Sequence, residues 1–304
     1  MDLRATSRIG LIAALGAASF LYATCGRSEK GNRAANRTVI QNKGSDTMVN
    51  VAQAWAEEYR TVNPAVEVEV SGGGSGVGIA ALIRGTIDMA NASRDIKAEE
   101  IEQVRRNTGK EPKGFVAGYD ALAVYVHRTN PLNEISLDQL AEIFVEGGRI
   151  TRWSQLGVRI PGGRDDTIVR VSRQSSSGTY EFFREKVLKK RDFELGSLDM
   201  NGSKEVVELV GSAPTAIGYS GMGYATSAVK MLRIAEKPGK TGVAPTAEST
   251  ISKTYPIARS LNLYVLGSPQ GAVKDYIDWI LSDAGQQIVK ASGYVPKSTE
   301  NRGK

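Results

Sequence analysis

Apolar and polar positions alternate along the chain with two periods, and each period predicts a different element. Val66, Val68 and Val70 are separated by glutamates, as in a strand with one buried face. From Val49, apolar side chains recur every three or four residues as far as Tyr59, which predicts an amphipathic helix. Short strands and helices continue to follow one another, so the pattern predicts an α/β protein with mostly parallel strand pairing.

The remaining elements follow from the same two periods. We expect further strands at 38–41, 87–90, 122–126, 168–171, 216–219 and 261–266, and further helices at 79–83, from 136 to about 144, and at 179–188, 204–210, 272–281 and 284–291. The three tryptophans fall within apolar patterns, and we expect them in the core. A length of 304 residues is too great for one small core and suits two lobes of roughly 100–150 residues each.

The first 25 residues differ in composition from the rest. Two arginines precede an apolar run at 9–21, which is short for a membrane span but has the length of a signal-peptide core. Cys25 follows, where exported bacterial lipoproteins carry a lipid-modified cysteine, although Tyr22 and Thr24 depart from the usual pattern. We therefore predict an exported protein with a signal peptide and a lipid-attachment site at Cys25. Conventional cleavage near Ala23 is the alternative.

Charge and metal-ligand counts exclude several kinds of site. The formal net charge is +6, and basic residues are interleaved with acidic ones rather than gathered among aromatic residues, so we predict no nucleic-acid partner. A single cysteine excludes an intramolecular disulfide. One histidine, His127, excludes a metal site built from several His or Cys ligands, and no EF-hand loop is present. We predict no metal.

Three loops share one composition. At 44–47, 74–76 and 175–179, a strand-like run ends, Gly, Ser and Thr follow, and a helical pattern begins. The first turn of a helix carries unpaired N–H donors and the positive end of the helix dipole, while glycine lets an anion approach the backbone. Ser and Thr also cap ordinary helices, so one such loop is not specific. Three converging loops would enclose a tetrahedral oxyanion.

Two arginines lie beside loops of this kind. Arg173 stands four residues before Ser177, and Arg94 follows a predicted strand. A guanidinium can donate two parallel hydrogen bonds to an oxyanion. For Arg94 a salt bridge with Asp95 or Glu99 is the alternative.

Enzyme motifs are incomplete. A serine nucleophile needs a base, and His127 ends a strand-like run, where a structural role is favoured. Val77 stands where a Gly-x-Ser-x-Gly elbow around Ser75 needs its second glycine. Residues 239–241 resemble the end of a P-loop, but Ile234 replaces its first glycine. We predict a binding protein rather than an enzyme, with no cofactor.

Taken together, these segments resemble the periplasmic phosphate-binding proteins of ABC transporters. The matching segments, in the family's order, are 44–48, 71–76, 88–94, 135–144, 150–153, 173–179 and 285–296. Each is weak alone, and their order makes the resemblance specific. It extends from about Thr38 to Pro296.

The resemblance implies an α/β, two-lobed periplasmic-binding-protein fold whose lobes close on the ligand about a hinge of two crossing segments. Lobe 1 would comprise 38–118 and 260–298, and lobe 2 would comprise 119–259. The chain would cross near 118–120 and return near 256–260.

By the same resemblance, the protein binds inorganic phosphate at the periplasm or outer face of the cell envelope. It would deliver the ion to ABC transporter permease subunits, act as a monomer, and meet the membrane only through a lipid at Cys25. The implied ligand-binding residues are Ser45, Asp46, Thr47, Met48, Ser75, Ser93, Arg94, Arg173, Ser177, Gly178 and Thr179. Thr47 and Met48 would contribute backbone N–H groups.

Arg94 departs from one branch of the family. That branch has an aspartate after the serine, which accepts the proton of hydrogen phosphate and so rejects sulfate. Here the acceptor must lie elsewhere, with Asp46 the first candidate and Asp95 the second. The alternatives are a binding protein for another tetrahedral oxyanion such as sulfate, an exported phosphate-ester hydrolase, and an adhesion or signalling protein that reuses the fold.

Overall fold

The computed structural model describes residues 37–162 and 165–297. The predicted signal peptide and Cys25 lie outside these residues. The strands are β1 Thr38–Gly44, β2 Val66–Ser71, β3 Met89–Ala92, β4 Pro112–His127, β5 Glu134–Ser136, β6 Val169–Arg173, β7 Leu198–Met200, β8 Ala216–Gly221, β9 Val229–Met231, β10 Arg233–Ala235, β11 Ala258–Leu266 and β12 Val295–Pro296. The α-helices are α1 Val49–Val62, α2 Ser75–Ile83, α3 Ala98–Thr108, α4 Leu137–Phe144, α5 Gly178–Lys186, α6 Ser203–Ser212, α7 Ala247–Ile251, α8 Gly271–Ile280 and α9 Asp283–Ala291.

The main sheet runs in the order β2-β1-β3-β11-β4-β8-β6-β7, with β12 and β9 also paired to β4. Strand β4 has 16 residues. Its residues 112–121 pair with β11, and its residues 122–126 pair with β8. We call the strands β1, β2, β3 and β11 with their helices the β1 half, and β6, β7 and β8 with theirs the β6 half. One continuous strand therefore belongs to both halves, as expected for a two-lobed α/β fold.

Strand direction differs between the centre and the flanks of the sheet. The pairs β1–β2, β1–β3, β6–β8 and β6–β7 are parallel, in agreement with the prediction. At the centre, β4 is antiparallel to β8 and β11, and β11 is antiparallel to β3. The prediction of mostly parallel pairing is wrong at the centre of the sheet. There β4 and β11, which run between the two halves, are antiparallel to each other and to their neighbours β8 and β3.

Each half has its own apolar core. In the β1 half, Trp55 is 1% exposed and its indole N–H donates to the Gly285 carbonyl at 2.9 Å, which fixes α9 against α1. In the β6 half, Trp153 is fully buried and the ring of Phe183 stacks on Tyr219 with centroids 3.9 Å apart. The predicted core positions of these two tryptophans are confirmed. Trp279 is partly buried against the core of the β1 half.

Most predicted elements are present, with shifted ends. Helix α2 begins four residues earlier than predicted, at Ser75, and Ser136 caps α4 by accepting the N–H of Gln139 at 3.2 Å. Helix α3 was not predicted. Its sequence is rich in Glu and Arg, and Val104 is its one buried residue, so it has almost no apolar stripe to detect.

The approach of α2 to β1 places the first loops side by side. A Cβ at Gly78 would lie 2.5 Å from the carbonyl oxygen of Lys43, so a larger residue there would push the helix away from the strand. The start of α2 is thereby held beside the end of β1, where α1 also begins.

Candidate functional site

Three loops converge where the two halves of the molecule meet, at the ends of β1, β2 and β6. The backbone N–H of Gly76 donates to the Ser176 carbonyl at 2.9 Å, and the Ser176 hydroxyl donates to the Gly73 carbonyl at 3.0 Å. A Cβ at Gly74 would lie 2.4 Å from the Ser176 carbonyl oxygen. Loops 74–76 and 175–179, which the sequence singled out by their shared composition, are therefore in direct contact.

Serine hydroxyls from the β1 half form a buried cluster in this cleft. The Ser45 hydroxyl donates to that of Ser93 at 3.0 Å, and the hydroxyls of Ser75 and Ser93 are 3.4 Å apart. The Ser93 backbone N–H donates to the Ser75 hydroxyl oxygen at 3.0 Å, so Ser75 is oriented by its neighbour. All three residues are at most 2% exposed. Each hydroxyl supplies one donor, and together they form a donor-rich surface without full charges.

Threonine hydroxyls join the two halves. Thr47 precedes α1, Thr179 lies in the first turn of α5, and their Oγ1 atoms share a hydrogen bond of 2.9 Å. Ser177 caps α5, because its hydroxyl oxygen accepts the N–H of Thr179 at 3.1 Å. The Met48 N–H donates to the Ser45 carbonyl at 2.9 Å, so the backbone donor predicted to bind the ligand is engaged in a turn.

Arg173 is the strongest positive group in the cleft. It is fully buried at the end of β6, and its Nη2 donates to the carboxylate of Asp46 at 3.1 Å and to the carbonyl of Asn201 at 3.0 Å. Its Nη1 donates to the Ser203 hydroxyl at 3.0 Å. Burial lowers the pKa of Arg173 and the Asp46 carboxylate opposes that shift, yet a guanidinium stays charged. Its buried Nε has no partner within the described residues.

Asp46 and Asp95, the two candidate acceptors for a proton of the ligand, lie in different surroundings. One carboxylate oxygen of Asp46 accepts the Gly73 N–H at 2.8 Å, and the other accepts from Arg173, so its side chain faces the cleft. Asp95 is exposed and accepts a hydrogen bond from the side-chain amide of Asn262 at 3.3 Å. The structure thus brings Asp46, but not Asp95, to the converging loops.

Arg94 is bound by a partner that the sequence did not suggest. Its guanidinium donates to both carboxylate oxygens of Glu100, at 2.8 and 2.7 Å, and to the Asp95 carbonyl at 2.8 Å. Burial raises the pKa of Glu100, but the hydrogen bonds from Arg94 and from the Lys97 N–H bring it below its ordinary value. The charge of Arg94 is therefore shared with α3. Its Nε, like that of Arg173, is buried without a partner within the described residues. The alternative partners Asp95 and Glu99 are not the carboxylates it binds.

Sequence reasoning missed an ion pair beneath the threonines. Asp120 on β4 and Arg259 on β11 are side by side in the sheet, their side chains are at most 1% exposed, and Arg259 Nη2 lies 2.8 Å from an Asp120 oxygen. Both residues lie within the predicted crossing segments. The signal that could have found them is a charged residue on the buried face of an apolar strand, between Ile257 and Leu261.

The site has hydrogen-bond donors but not the arrangement of a serine hydrolase. His127 shares a 2.8 Å hydrogen bond with Thr129 at the end of β4, not with a serine of the cleft. Within the described residues, no cluster of three or more His, Cys, Asp or Glu could hold a metal ion. Next to the Arg173–Asp46 pair, a cavity of about 160 Å³ opens to solvent; it is lined by Asp46, Asn50, Ser203, Lys204, Glu205 and Tyr224.

Fold and site together define a two-lobed α/β binding protein whose cleft suits a small oxyanion. Residues 31–284 match the family model of the PBP superfamily domain. The phosphate-binding protein PstS of Pseudomonas aeruginosa is 33% identical over 267 residues, covering 84% of this chain and 82% of that protein. The Bacillus subtilis phosphate-binding protein PstS is 31% identical over 271 residues, covering 88% and 84%.

Among solved structures, a putative phosphate ABC transporter substrate-binding protein with bound phosphate from Clostridium perfringens superposes with a TM-score of 0.75. It is 30% identical, and the alignment covers 86% of this chain and 100% of that one. The chain therefore belongs to the phosphate-binding protein family of the PBP superfamily. In the part of the chain that the structure describes, no helix is long and apolar enough to cross a membrane.

Replacing Gly178 with alanine tests whether phosphate binding needs the close contact between the two halves at Gly178. A Cβ at Gly178 would lie 2.3 Å from the Ser75 hydroxyl and 2.8 Å from that of Ser93. Overpacking of this kind costs about 1–3 kcal/mol, so phosphate affinity should fall by roughly five- to a hundredfold in calorimetry. Gly147→Ala, at a glycine with open space around it but a φ of +68°, is the control for backbone strain without overpacking; it should lower stability slightly and bind phosphate like the parent chain. Equal affinity in the Gly178 variant would mean that ligand binding does not need this contact.

Proposed function

We propose that this protein binds inorganic phosphate between its two halves, outside the cytoplasmic membrane, and delivers it to the permease of an ABC transporter. It catalyses no reaction. The observation that carries the proposal is Arg173, a fully buried guanidinium with a free Nε beside a cluster of serine and threonine hydroxyls. An unpartnered buried donor is costly, and an oxyanion would satisfy it. Relatives named as phosphate-binding proteins and a similar structure with bound phosphate support the choice of anion.

The predicted ligand residues differ in whether other groups of the protein already form hydrogen bonds with them. Arg173 would donate directly, together with the hydroxyls and first-turn N–H groups of the converging loops, at Thr47, Ser75, Ser93, Ser177, Gly178 and Thr179. Ser45 orients Ser93, since it donates to that hydroxyl. Arg94 also has an unpartnered Nε, but Glu100 binds its guanidinium through two hydrogen bonds and Asp46 binds Arg173 through one, so Arg94 would contribute less charge to the ligand. The Met48 N–H would have to leave the Ser45 carbonyl before it could reach the ligand.

Asp46 is the proposed acceptor for the phosphate proton. Its carboxylate faces the cleft and accepts two hydrogen bonds, and a carboxylate has about four lone-pair sites, so it can accept another. Sulfate has no proton to donate and would place its negative oxygens against this carboxylate. The site would therefore prefer phosphate although Arg94 occupies the position of the aspartate used in one branch of the family.

The proposed lobes are 38–118 with 260–298, and 119–259. Strand pairing supports these boundaries, since β4 changes partner from β11 to β8 between residues 121 and 122. The lobes would move as rigid bodies about these crossing strands when the ligand binds. Export through the N-terminal signal peptide, lipid attachment at Cys25 and a monomeric state belong to the same proposal.

A panel of anions tests the choice of ligand. Phosphate should raise the melting temperature of the purified protein more than sulfate, molybdate or nucleotides do, because a ligand that binds the native state stabilises it by mass action. The panel is run at two pH values to ask which protonation state is bound. A larger shift with sulfate would overturn the phosphate proposal. Turnover of a chromogenic phosphate ester would favour the hydrolase instead.

Removing Arg173 tests the site itself. Arg173→Ala deletes a charge-assisted donor worth about 1.5–3 kcal/mol, and more when it is buried, so phosphate binding should weaken by at least about tenfold. Arg149→Ala, at an arginine whose side chain is 85% exposed, is the matched control. Calorimetry should show parental affinity for the Arg149 variant. Unchanged affinity in the Arg173 variant would contradict the site.

Replacing Asp46 tests the proton acceptor. Asp46→Asn keeps the size of the side chain but removes the charge, so phosphate should bind about tenfold more weakly while sulfate binds more tightly. The ratio of the two dissociation constants is the measurement. Asp95→Asn serves as the matched control, because Asp95 is exposed. A ratio that changes in the Asp95 variant and not in the Asp46 variant would assign the acceptor to Asp95.

A further inference from the structure

Arg259 lies on the strand that connects the two halves, with its charge held by Asp120. Its Nε and Nη2 donate to the same Asp120 oxygen at 2.9 and 2.8 Å, and the other Asp120 oxygen accepts the Met222 N–H at 2.9 Å. The Arg259 guanidinium also lies 5.6 Å from the centroid of the Phe182 ring, on α5. Strand β4 and helix α5 therefore both hold this side chain, and Met222 in turn holds Asp120.

The rest of the Arg259 fork points at the anion-binding loops. Nη1 donates to the Ser93 carbonyl at 3.2 Å and to the Thr179 hydroxyl at 3.0 Å, and Nη2 lies 3.5 Å from the Thr47 hydroxyl. These contacts and the two to Asp120 occupy all five N–H donors of a guanidinium. Arg173, by contrast, keeps a buried Nε free. Arg259 thus has no donor left for a ligand, and any effect it has on binding must act through the groups it holds.

The direction of these hydrogen bonds determines whether Arg259 favours or opposes anion binding. A hydroxyl has one proton and two lone pairs, and a guanidinium can only donate. When Arg259 donates to Thr179 and Thr47, each threonine oxygen uses a lone pair on the arginine, and its proton must point away from it. The threonines share one hydrogen bond, so at least one of their protons remains for another acceptor. An anion that separates them would receive both.

We propose that Arg259 is a positioning residue of the anion site, which keeps Thr47 and Thr179 oriented as hydrogen-bond donors toward the ligand and, through Ser93, Thr47 and Thr179, holds the two halves together around it. This inference rests on the proposed function, because it assigns a role within the phosphate site. Asp120 balances the Arg259 charge, so that this charge orients the hydroxyls without leaving an unpaired ion in the core.

A double-mutant cycle tests the role. Asp120→Asn with Arg259→Gln removes both charges together and so avoids an unpaired buried ion. Phosphate binding should weaken by about tenfold in this paired variant, the size expected for loss of one hydrogen bond to a charged group. In a chain that also carries Thr179→Val, the same pair of changes should weaken binding much less, since the hydroxyl through which Arg259 acts is gone.

Each outcome of the cycle decides the inference. Equal losses with and without Thr179→Val, or parental affinity in the folded paired variant, would overturn it, because a merely structural arginine would not couple to one hydroxyl. If the paired variant does not fold, Arg259→Lys replaces it. This variant keeps the charge beside Asp120 but lacks the fork, and it should bind phosphate more weakly at a near-parental melting temperature. Parental affinity in the lysine variant would also overturn the inference. A parent chain that binds no phosphate would remove the proposed function and this role with it.

Discussion

A fully buried arginine constrains everything around it, and in this protein that residue is Arg173. Moving a guanidinium out of water costs several kcal/mol unless hydrogen bonds and an opposite charge compensate for it. Asp46, Ser203 and the Asn201 carbonyl provide this compensation. Asp46 comes from the β1 half and the other two from the β6 half, so the charge is satisfied only where the halves meet.

A second buried ion pair lies in the cleft, beneath Thr47 and Thr179. It is formed by Arg259 and Asp120. All N–H donors of Arg259 are occupied, whereas Arg173 has one donor without a partner. In our proposal, Arg259 supports the loops and Arg173 donates to the ligand. The hydroxyls between them would donate hydrogen bonds to a small oxyanion without adding full charge, so the oxyanion would be desolvated without meeting a second unpaired ion. This arrangement suits reversible capture followed by release to a transporter.

Sequence patterns predicted the parts of the fold that depend on local physics. Glycine and hydroxyl residues at strand ends marked the three loops, because close backbone approach and helix capping require those residue types. The polar helix α3 was missed because Val104 is its one buried side chain. The antiparallel centre was missed because the pairing of β4 with β11 joins segments more than a hundred residues apart, which no local period encodes.

The same distinction applies to the site. Arg173, Ser75 and Thr179 were found because they lie in recognisable loops, and the structure brings them together. The partner of Arg94 was misjudged, since Glu100 reaches it only through the turn that begins α3. Arg259 and Asp120 were missed because a charged residue within a strand carries no motif, and its meaning depends on what the other strand places opposite it.

The most direct test of the account is a calorimetric titration of the purified protein, stripped of bound anions, with phosphate in the presence of excess sulfate. The account predicts saturation at one phosphate per chain with little loss of affinity caused by the sulfate. Binding that sulfate abolishes, or no saturable phosphate site at all, would contradict it.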